Sequence, residues 1–338
     1  MDWFDPFGKE VEFAVNCVKT ACSMTRRIEE EMVSAALEKA DRSPVTVADF
    51  TVQAFVGSEI SRVFPENPLV AEESSGALEG AQGRVILDQA AGFLNGYKPG
   101  VHPQEVLRWI KRGQGEPGDR FWILDPVDGT KGFLRGGQYA VALAMADQGQ
   151  VQLGVLGCPS LDLDTAEAGG VGKRMPESKG SIAIAVRGKG AWVSSLIGEE
   201  LQPLQVSNCS VFRDAAVLRS YESGHTNEDQ MSVLSDALSL KRDPVRLDSQ
   251  AKYLLLAAGR GDLMLRLLSP RAPHYREKIW DQAAGSIVVE EAGGRISDLD
   301  GRSLDFTTGR LLTKNRGILA SNGHLHEEAL EALRSIGT

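Results

Sequence analysis

The chain has 338 residues, 42% of them hydrophobic and 25% charged, with a formal net charge of -9 at pH 7 and a pI near 5.2. That length allows a substantial core and two domains. The acidic balance excludes a broad basic face for nucleic acid or an acidic membrane, so a large anionic ligand would need metal ions or local Lys and Arg to neutralise it.

Met1-Asp2-Trp3-Phe4-Asp5-Pro6 places acid and proline where a secretion signal needs basic and then apolar residues. No apolar run reaches the length of a membrane span. The expectation is a cytoplasmic monomer with no nucleic-acid and no membrane partner. Cys17, Cys22, Cys158 and Cys209 have no metal-type spacing and read as free thiols, with redox regulation through one of them left open.

Residues 8–38 carry helical spacing, as one long or two short helices. After Ser43-Pro44, Thr46-Val47-Ala48-Asp49 reads as a capping box opening a helix to about Arg62. A turn cluster at 64–68 leads to a short strand, Leu69-Val70-Ala71, that ends in Glu72-Glu73. A Gly-rich connection with helical patches near 84–94 and 103–112 precedes the apolar strand Phe121–Leu124, which runs into Asp125. Segments 139–146 and 151–157 read as one hairpin, 181–186 and 191–194 as another, and together they imply an antiparallel sheet.

The second half alternates. Strands are expected at 215–219, 245–247, 262–267 and 317–321, and helices at 227–240, 250–259, 281–292 and from about 325. The composition shifts near Leu196–Val206, which divides the chain into residues 1–200, an α+β domain, and residues 201–338, an α/β domain.

The most informative segment is Asp125-Pro126-Val127-Asp128-Gly129-Thr130. A buried strand that ends in two aspartates three residues apart delivers both carboxylates to one edge, where their repulsion suits a hard divalent cation such as Mg2+. Gly129 permits a tight turn, and the amides around Gly129-Thr130 are placed to hold a phosphate. Alone, the segment is equally an Asp-Gly turn after a strand. Glu72 stands at a strand end with Glu73 as a solvated neighbour, Asp49 equally completes a capping box, and Asp281 equally caps the helix that follows it.

Taken together, Asp125-Pro-Val-Asp-Gly-Thr130 and Trp280-Asp-Gln-Ala-Ala-Gly285 resemble the two signatures of the inositol monophosphatase superfamily of metal-dependent, lithium-inhibited phosphatases. Ser43–Asp49, Ala71–Gly76, Thr130–Gly136, Asp248–Tyr253 and Tyr275–Asp281 extend the likeness from about residue 43 to 321, in the manner of its 3'(2'),5'-bisphosphate nucleotidase branch. The resemblance implies a layered α/β sandwich, αβαβα. It implies two or three Mg2+ ions held by Glu72, Asp125, the carbonyl of Val127, Asp128 and Asp281. It also implies that Thr130, held by Asp49, helps deprotonate the attacking water.

For substrate, the resemblance implies Gly129, Thr130, His225, Ser249, Lys252, Arg266 and Asp281. From the residues alone, Lys252 and Arg266 read first as solvated or salt-bridged, and His225 as an ordinary loop residue. Gln282 stands where relatives often have His. The implied reaction is loss of the 3'-phosphate of 3'-phosphoadenosine 5'-phosphate in sulfur metabolism, with the 5'-phosphosulfate and inositol 1,4-bisphosphate as further substrates. An inositol polyphosphate 1-phosphatase or inositol monophosphatase is the rival enzyme, and a silent phosphometabolite sensor the non-enzymatic one. Gly113-Gln-Gly-Glu-Pro-Gly118 fits a dinucleotide pattern by letter but precedes its strand and contains Pro117, so it reads as a loop.

Overall fold

The structure, a computed structural model, describes residues 6–31, 37–38, 44–163, 178–221, 227–270 and 272–337; His225 lies outside them. Helix α1 (Gly8–Glu30) buries one face through Val11, Ala14, Val18, Ala21 and Met24, residues three or four apart. The helical pattern does not run on to residue 38. Leu37–Glu38 form β1, antiparallel to β2 (Pro44–Val45), with Leu37 opposite Val45. Cross-strand pairing satisfies that backbone, and Pro44 has no N–H to offer a helix.

Helix α2 (Val47–Val63) starts at a complete capping box. Thr46 Oγ1 accepts from Ala48 N at 3.1 Å, and Asp49 Oδ2 accepts from Thr46 N at 2.8 Å. Helices α3 (Gly80–Asn95) and α4 (Pro103–Arg112) follow and pack against it.

The first sheet holds, in chain order, β3 (Leu69–Ala71), β4 (Arg120–Asp128), β5 (Ala140–Asp147), β6 (Gln150–Cys158), β7 (Ser181–Val186), β8 (Gly190–Ser195) and β9 (Gln202–Pro203). The expected antiparallel sheet needs one correction. β3 runs parallel to β4, with Val70 opposite Ile123, and only the remaining pairs are antiparallel. A parallel pair needs a long crossover, and α3 and α4 occupy it.

The second sheet contains β10 (Val217–Arg219), β11 (Val245–Arg246), β12 (Leu263–Arg266), β13 (Arg295–Ser297) and β14 (Ile318–Ser321), in the order β11-β10-β12-β14-β13. β10 is parallel to β11 and β12, whereas β14 is antiparallel to β12 and β13. Its helices are α6 (Glu228–Ala237), α7 (Ala251–Ala257), α8 (Ala283–Glu291) and α9 (His326–Ser335), α5 (Thr130–Leu134) having followed β4. β9 and β13 have no counterpart in the sequence reading. Two or three residues carry no periodic signal, and Pro203 argues against a strand.

Strand alternation sets the layers. Trp122 and Leu124 of β4 pack with Val18, Val52 and Val56 of α1 and α2. Ile123 faces the other way, into a core shared with Leu254, Ala284 and Ile287 of α7 and α8, which also takes in Met264, Ile318 and Ala320 of the second sheet. Leu263, Leu265 and Leu319 point outward onto Met231, Leu234 and Leu330 of α6 and α9. The layers are therefore αβαβα. The approach of α7 to α8 depends on Gly285, where a Cβ would lie 2.0 Å from the Tyr253 ring.

All four cysteines are free, and burial pushes the Cys17 and Cys22 thiols up to about 12. Among the described residues, no helix is long and apolar enough to cross a membrane.

Candidate active site

β4 does not end at Asp125. It continues through Pro126 to Asp128, but Asp125 pairs with Ala142 and Asp128 with Ala140. Three steps on β4 thus oppose two on β5, a bulge that re-aims the side chains and tolerates a proline without an N–H. Gly129 then turns the chain at φ +84°, and a Cβ there would stand 2.9 Å from Ser249 Cβ, so this position excludes any side chain.

A cavity of about 550 Å3 opens at this turn. Of the residues singled out in the sequence, Glu72, Asp125, Val127, Asp128, Gly129 and Thr130 line it from one side, and Ser249, Lys252, Arg266 and Asp281 from the other. Asp49 is fully buried behind Thr130. Thr130 Oγ1 lies 3.4 Å from Asp49 Oδ1 and 3.1 Å from the Val127 carbonyl, while Asp49 Oδ2 accepts from Thr46 N and, at 2.7 Å, from Thr46 Oγ1. Capping and facing Thr130 are therefore done by different oxygens of one carboxylate.

Two readings of the acids change. Glu73 is buried rather than solvated; Gln53 clamps its backbone, accepting from Glu73 N at 2.8 Å and donating to Glu73 O at 2.7 Å. Asp281 is not the helix cap, because Gln282 takes that position and leaves Asp281 on the cavity wall.

The carboxylates disturb one another. Burial raises the Asp128 pKa; Lys252, the Gln250 N–H at 2.6 Å and Arg266 oppose the rise, and Glu72 adds to it. Burial also raises Asp281 well above the usual carboxylate range, against Arg266 and with Asp128, Glu277 and Glu72 adding to the effect. A cation would relieve this repulsion, and an all-oxygen donor set suits a hard divalent ion. Among the described residues, no three Asp, Glu, His or Cys side chains are gathered closely enough to hold an ion by themselves.

On the opposite wall Lys252 is buried, not solvated. Its Nζ donates to Ser249 O at 2.9 Å, Ser220 Oγ at 3.1 Å and Leu247 O at 3.4 Å, and burial brings its pKa down to about 8. Arg266 Nε lies 3.2 Å from Glu277 Oε2, so its salt-bridged reading holds as well. Ser249 adopts φ +70°, uncommon for a residue with a side chain and costing of order 1 kcal/mol or more, which the packing around Gly129 sustains.

Sequence reasoning missed the supporting residues. Gln250 donates to Trp280 O at 3.0 Å and accepts from Gly285 N at 3.1 Å, tying down both ends of the Trp280–Gly285 segment. Gln282 is fully buried; it donates to Glu277 at 2.9 Å and accepts from the Tyr253 hydroxyl. Glu277 had a signal, since it lies inside Tyr275–Asp281. Arg310 had none: it stands in a loop far along the chain, yet it lines the cavity.

The family model described as the inositol monophosphatase family matches residues 9–338. The 3'(2'),5'-bisphosphate nucleotidase of Schizosaccharomyces pombe is 38% identical over 98% of this chain and 96% of its own length. That of Oryza sativa is 38% identical over 98% and 95%. Among solved structures, Thermotoga maritima IMPase has a TM-score of 0.66 at 20% identity, covering 97% of this chain and 98% of its own. CysQ from Bacteroides thetaiotaomicron has a TM-score of 0.59 at 20% identity, covering 94% and 98%. These two likenesses carry the fold; the family match and the nucleotidase relatives span nearly the whole sequence. The chain belongs to the inositol monophosphatase family.

Proposed function

We propose that this chain is a Mg2+-dependent 3'(2'),5'-bisphosphate nucleotidase that hydrolyses 3'-phosphoadenosine 5'-phosphate to AMP and inorganic phosphate. The observation that carries this reading is the presence of two kinds of charge on the lining of one cavity. Glu72, Asp125 and Asp128, with Asp281 facing them, form an acidic cluster that needs cations, while Lys252 and Arg266 supply fixed positive charge. A bisphosphate needs both, because its two phosphates are on different ribose carbons and metal ions at the acids would neutralise only the one being cleaved. The names of the relatives at 38% identity support the same substrate.

When bound, Mg2+ supplies charge neutralisation at the phosphoryl oxygens and acidifies a water. The chain's own residues do the rest. Thr130 turns its hydroxyl from Val127 O to Asp49 Oδ1, and its Oγ1 takes a proton from the attacking water as it gives its own proton to Asp49 Oδ1; Thr46, bonded to Oδ2, keeps that carboxylate in place. Ser249 and Lys252 meet the phosphate that stays, and Glu277 orients Arg266 beside them. In this reading residues 1–200 carry most metal ligands and residues 201–338 the nucleotide contacts, with Asp281 serving both. Li+ inhibits by competing for the same carboxylates.

The test is a phosphate-release panel of 3'-phosphoadenosine 5'-phosphate, its 5'-phosphosulfate, inositol 1,4-bisphosphate and inositol 1-phosphate, with Mg2+ and with EDTA. The nucleotides should be preferred, and EDTA should abolish release. A preference for an inositol phosphate reassigns the substrate, and binding without release makes the protein a sensor.

A further inference from the structure

Arg310 joins the two halves of the acidic cluster. Its loop runs antiparallel to the segment before Asp281: Ile279 N donates to Arg310 O at 3.1 Å, and Leu312 N donates to Glu277 O at 2.9 Å. The guanidinium lies 4.8 Å from the centre of the Trp280 ring, next in sequence to Asp281. From there it reaches the edge of the first sheet, donating through Nη1 to Gly113 O at 3.3 Å and Gly115 O at 3.4 Å, and through Nη2 to Ala71 O. Ala71 directly precedes Glu72, whose N–H donates to Leu124 O at 3.3 Å, beside Asp125.

One side chain thus spans from the residue before Glu72 to the residue before Asp281. Glu72 follows β3 at the edge of the first sheet and Asp281 lies in the turn before α8, so the two carboxylates reach one cavity from separate elements. We propose that Arg310 is a positioning residue that fixes the separation of Glu72 from Asp281, and through it the affinity for Mg2+; this rests on the metal-dependent reading above. The chemistry requires Arg. A planar guanidinium meets three carbonyls with two nitrogens while its face lies on an indole, which a lysine ammonium cannot do.

The test titrates Mg2+ alone into the metal-free chain by calorimetry, for the unaltered protein, Arg310→Lys and Trp280→Phe, and then measures turnover of the bisphosphate over a range of Mg2+. Arg310→Lys should weaken Mg2+ binding by about 10–100-fold, with kcat recovering at high Mg2+ and KM at saturating Mg2+ near that of the unaltered chain. A purely structural role would lower the metal-free Tm and would not be rescued by Mg2+. Trp280→Phe keeps the carbonyl contacts and a smaller face, so it should show a milder loss of the same kind. That keeps the proposal testable if Arg310→Lys does not fold. Equal Mg2+ affinity in the folded variants, or a kcat defect that Mg2+ does not restore, overturns the role of Arg310. Failure of the unaltered chain to bind Mg2+ overturns the metal reading itself, a result distinct from equally tight binding by all three.

Discussion

Thr130 Oγ1 stands 3.4 Å from Asp49 Oδ1 and 3.1 Å from Val127 O, so its one hydroxyl hydrogen has two acceptors within reach. The shorter contact is to the carbonyl, and 3.4 Å is long for an O–H···O bond. Catalytic hydrogen bonds often tighten only in the substrate complex. A hydroxyl poised between two acceptors can exchange one for the other without reorganising the backbone.

Removing that hydroxyl should act on the chemical step. Thr130→Ala is expected to lower kcat by about 10²–10⁴-fold with a small change in KM. Steady-state kinetics at saturating Mg2+ checks this, and a change confined to KM would make Thr130 a binding residue. Asp49→Asn should show the same kcat loss and also lower the Tm, because the weakened cap of α2 costs about 1 kcal/mol.

Much of this site was legible because its chemistry is local in sequence. Asp125, Asp128 and Thr130 fall within six residues, and Trp280–Gly285 is similarly compact. Helix and strand positions followed from periodicity wherever an element was long enough to repeat it, as in α1, α2 and β5 to β8. What was not legible depends on contacts distant in sequence. The parallel edge at β3 follows from the crossover through α3 and α4, and the bulge at Pro126 appears only in the register with β5. Arg310 reaches Ala71 across more than two hundred residues, and the burial of Glu73 depends on Gln53, neither of which any spacing rule announces.

Asp128→Asn removes a charge from a crowded anionic wall. Burial and Glu72 raise the Asp128 pKa, so in the metal-free chain its ionised form is a net cost at neutral pH. That cost appears as pH rises through the folded pKa, because a raised acid contributes its stability below the unfolded pKa. The metal-free Tm of the variant at neutral pH should therefore equal or exceed that of the unaltered chain, while Mg2+ raises the Tm much less and turnover is lost. Differential scanning calorimetry with and without Mg2+ reads both effects. Near-normal turnover at ordinary Mg2+ would remove Asp128 from the metal site.

Lys252→Ala separates the uncleaved phosphate from the cleaved one. Charge-assisted hydrogen bonds are worth roughly 1.5–3 kcal/mol, about tenfold or more in binding. The variant should lose at least that factor in kcat/KM on 3'-phosphoadenosine 5'-phosphate and much less on a simple monophosphate. A metal-site defect would depress both equally, and equal losses would reject the assignment.

His326 provides a pH test remote from the site. Its Nε2 and Nδ1 each lie 2.9 Å from a buried hydroxyl, Ser297 Oγ and Ser321 Oγ, and burial, with Arg295 nearby, brings its pKa down to about 4. An unfolded His titrates near 6.5. Between those values the unfolded chain takes up a proton that the folded chain refuses, so stability falls as pH drops from about 7 towards 4. His326→Gln should flatten that fall by about 1 kcal/mol between about pH 7 and 5. Urea melts at the two pH values read the difference, and an unchanged pH slope would show that His326 does not set it.

The most direct measurement of the central claim is hydrolysis of 3'-phosphoadenosine 5'-phosphate with Mg2+ in 18O-labelled water, with the products resolved by mass spectrometry. The expected products are AMP with its 5'-phosphate intact and unlabelled, together with inorganic phosphate carrying one 18O, since water attacks phosphorus and the bond to the 3'-oxygen breaks. Release of adenosine 3'-phosphate, label in the nucleotide, or undiminished turnover after EDTA would contradict it.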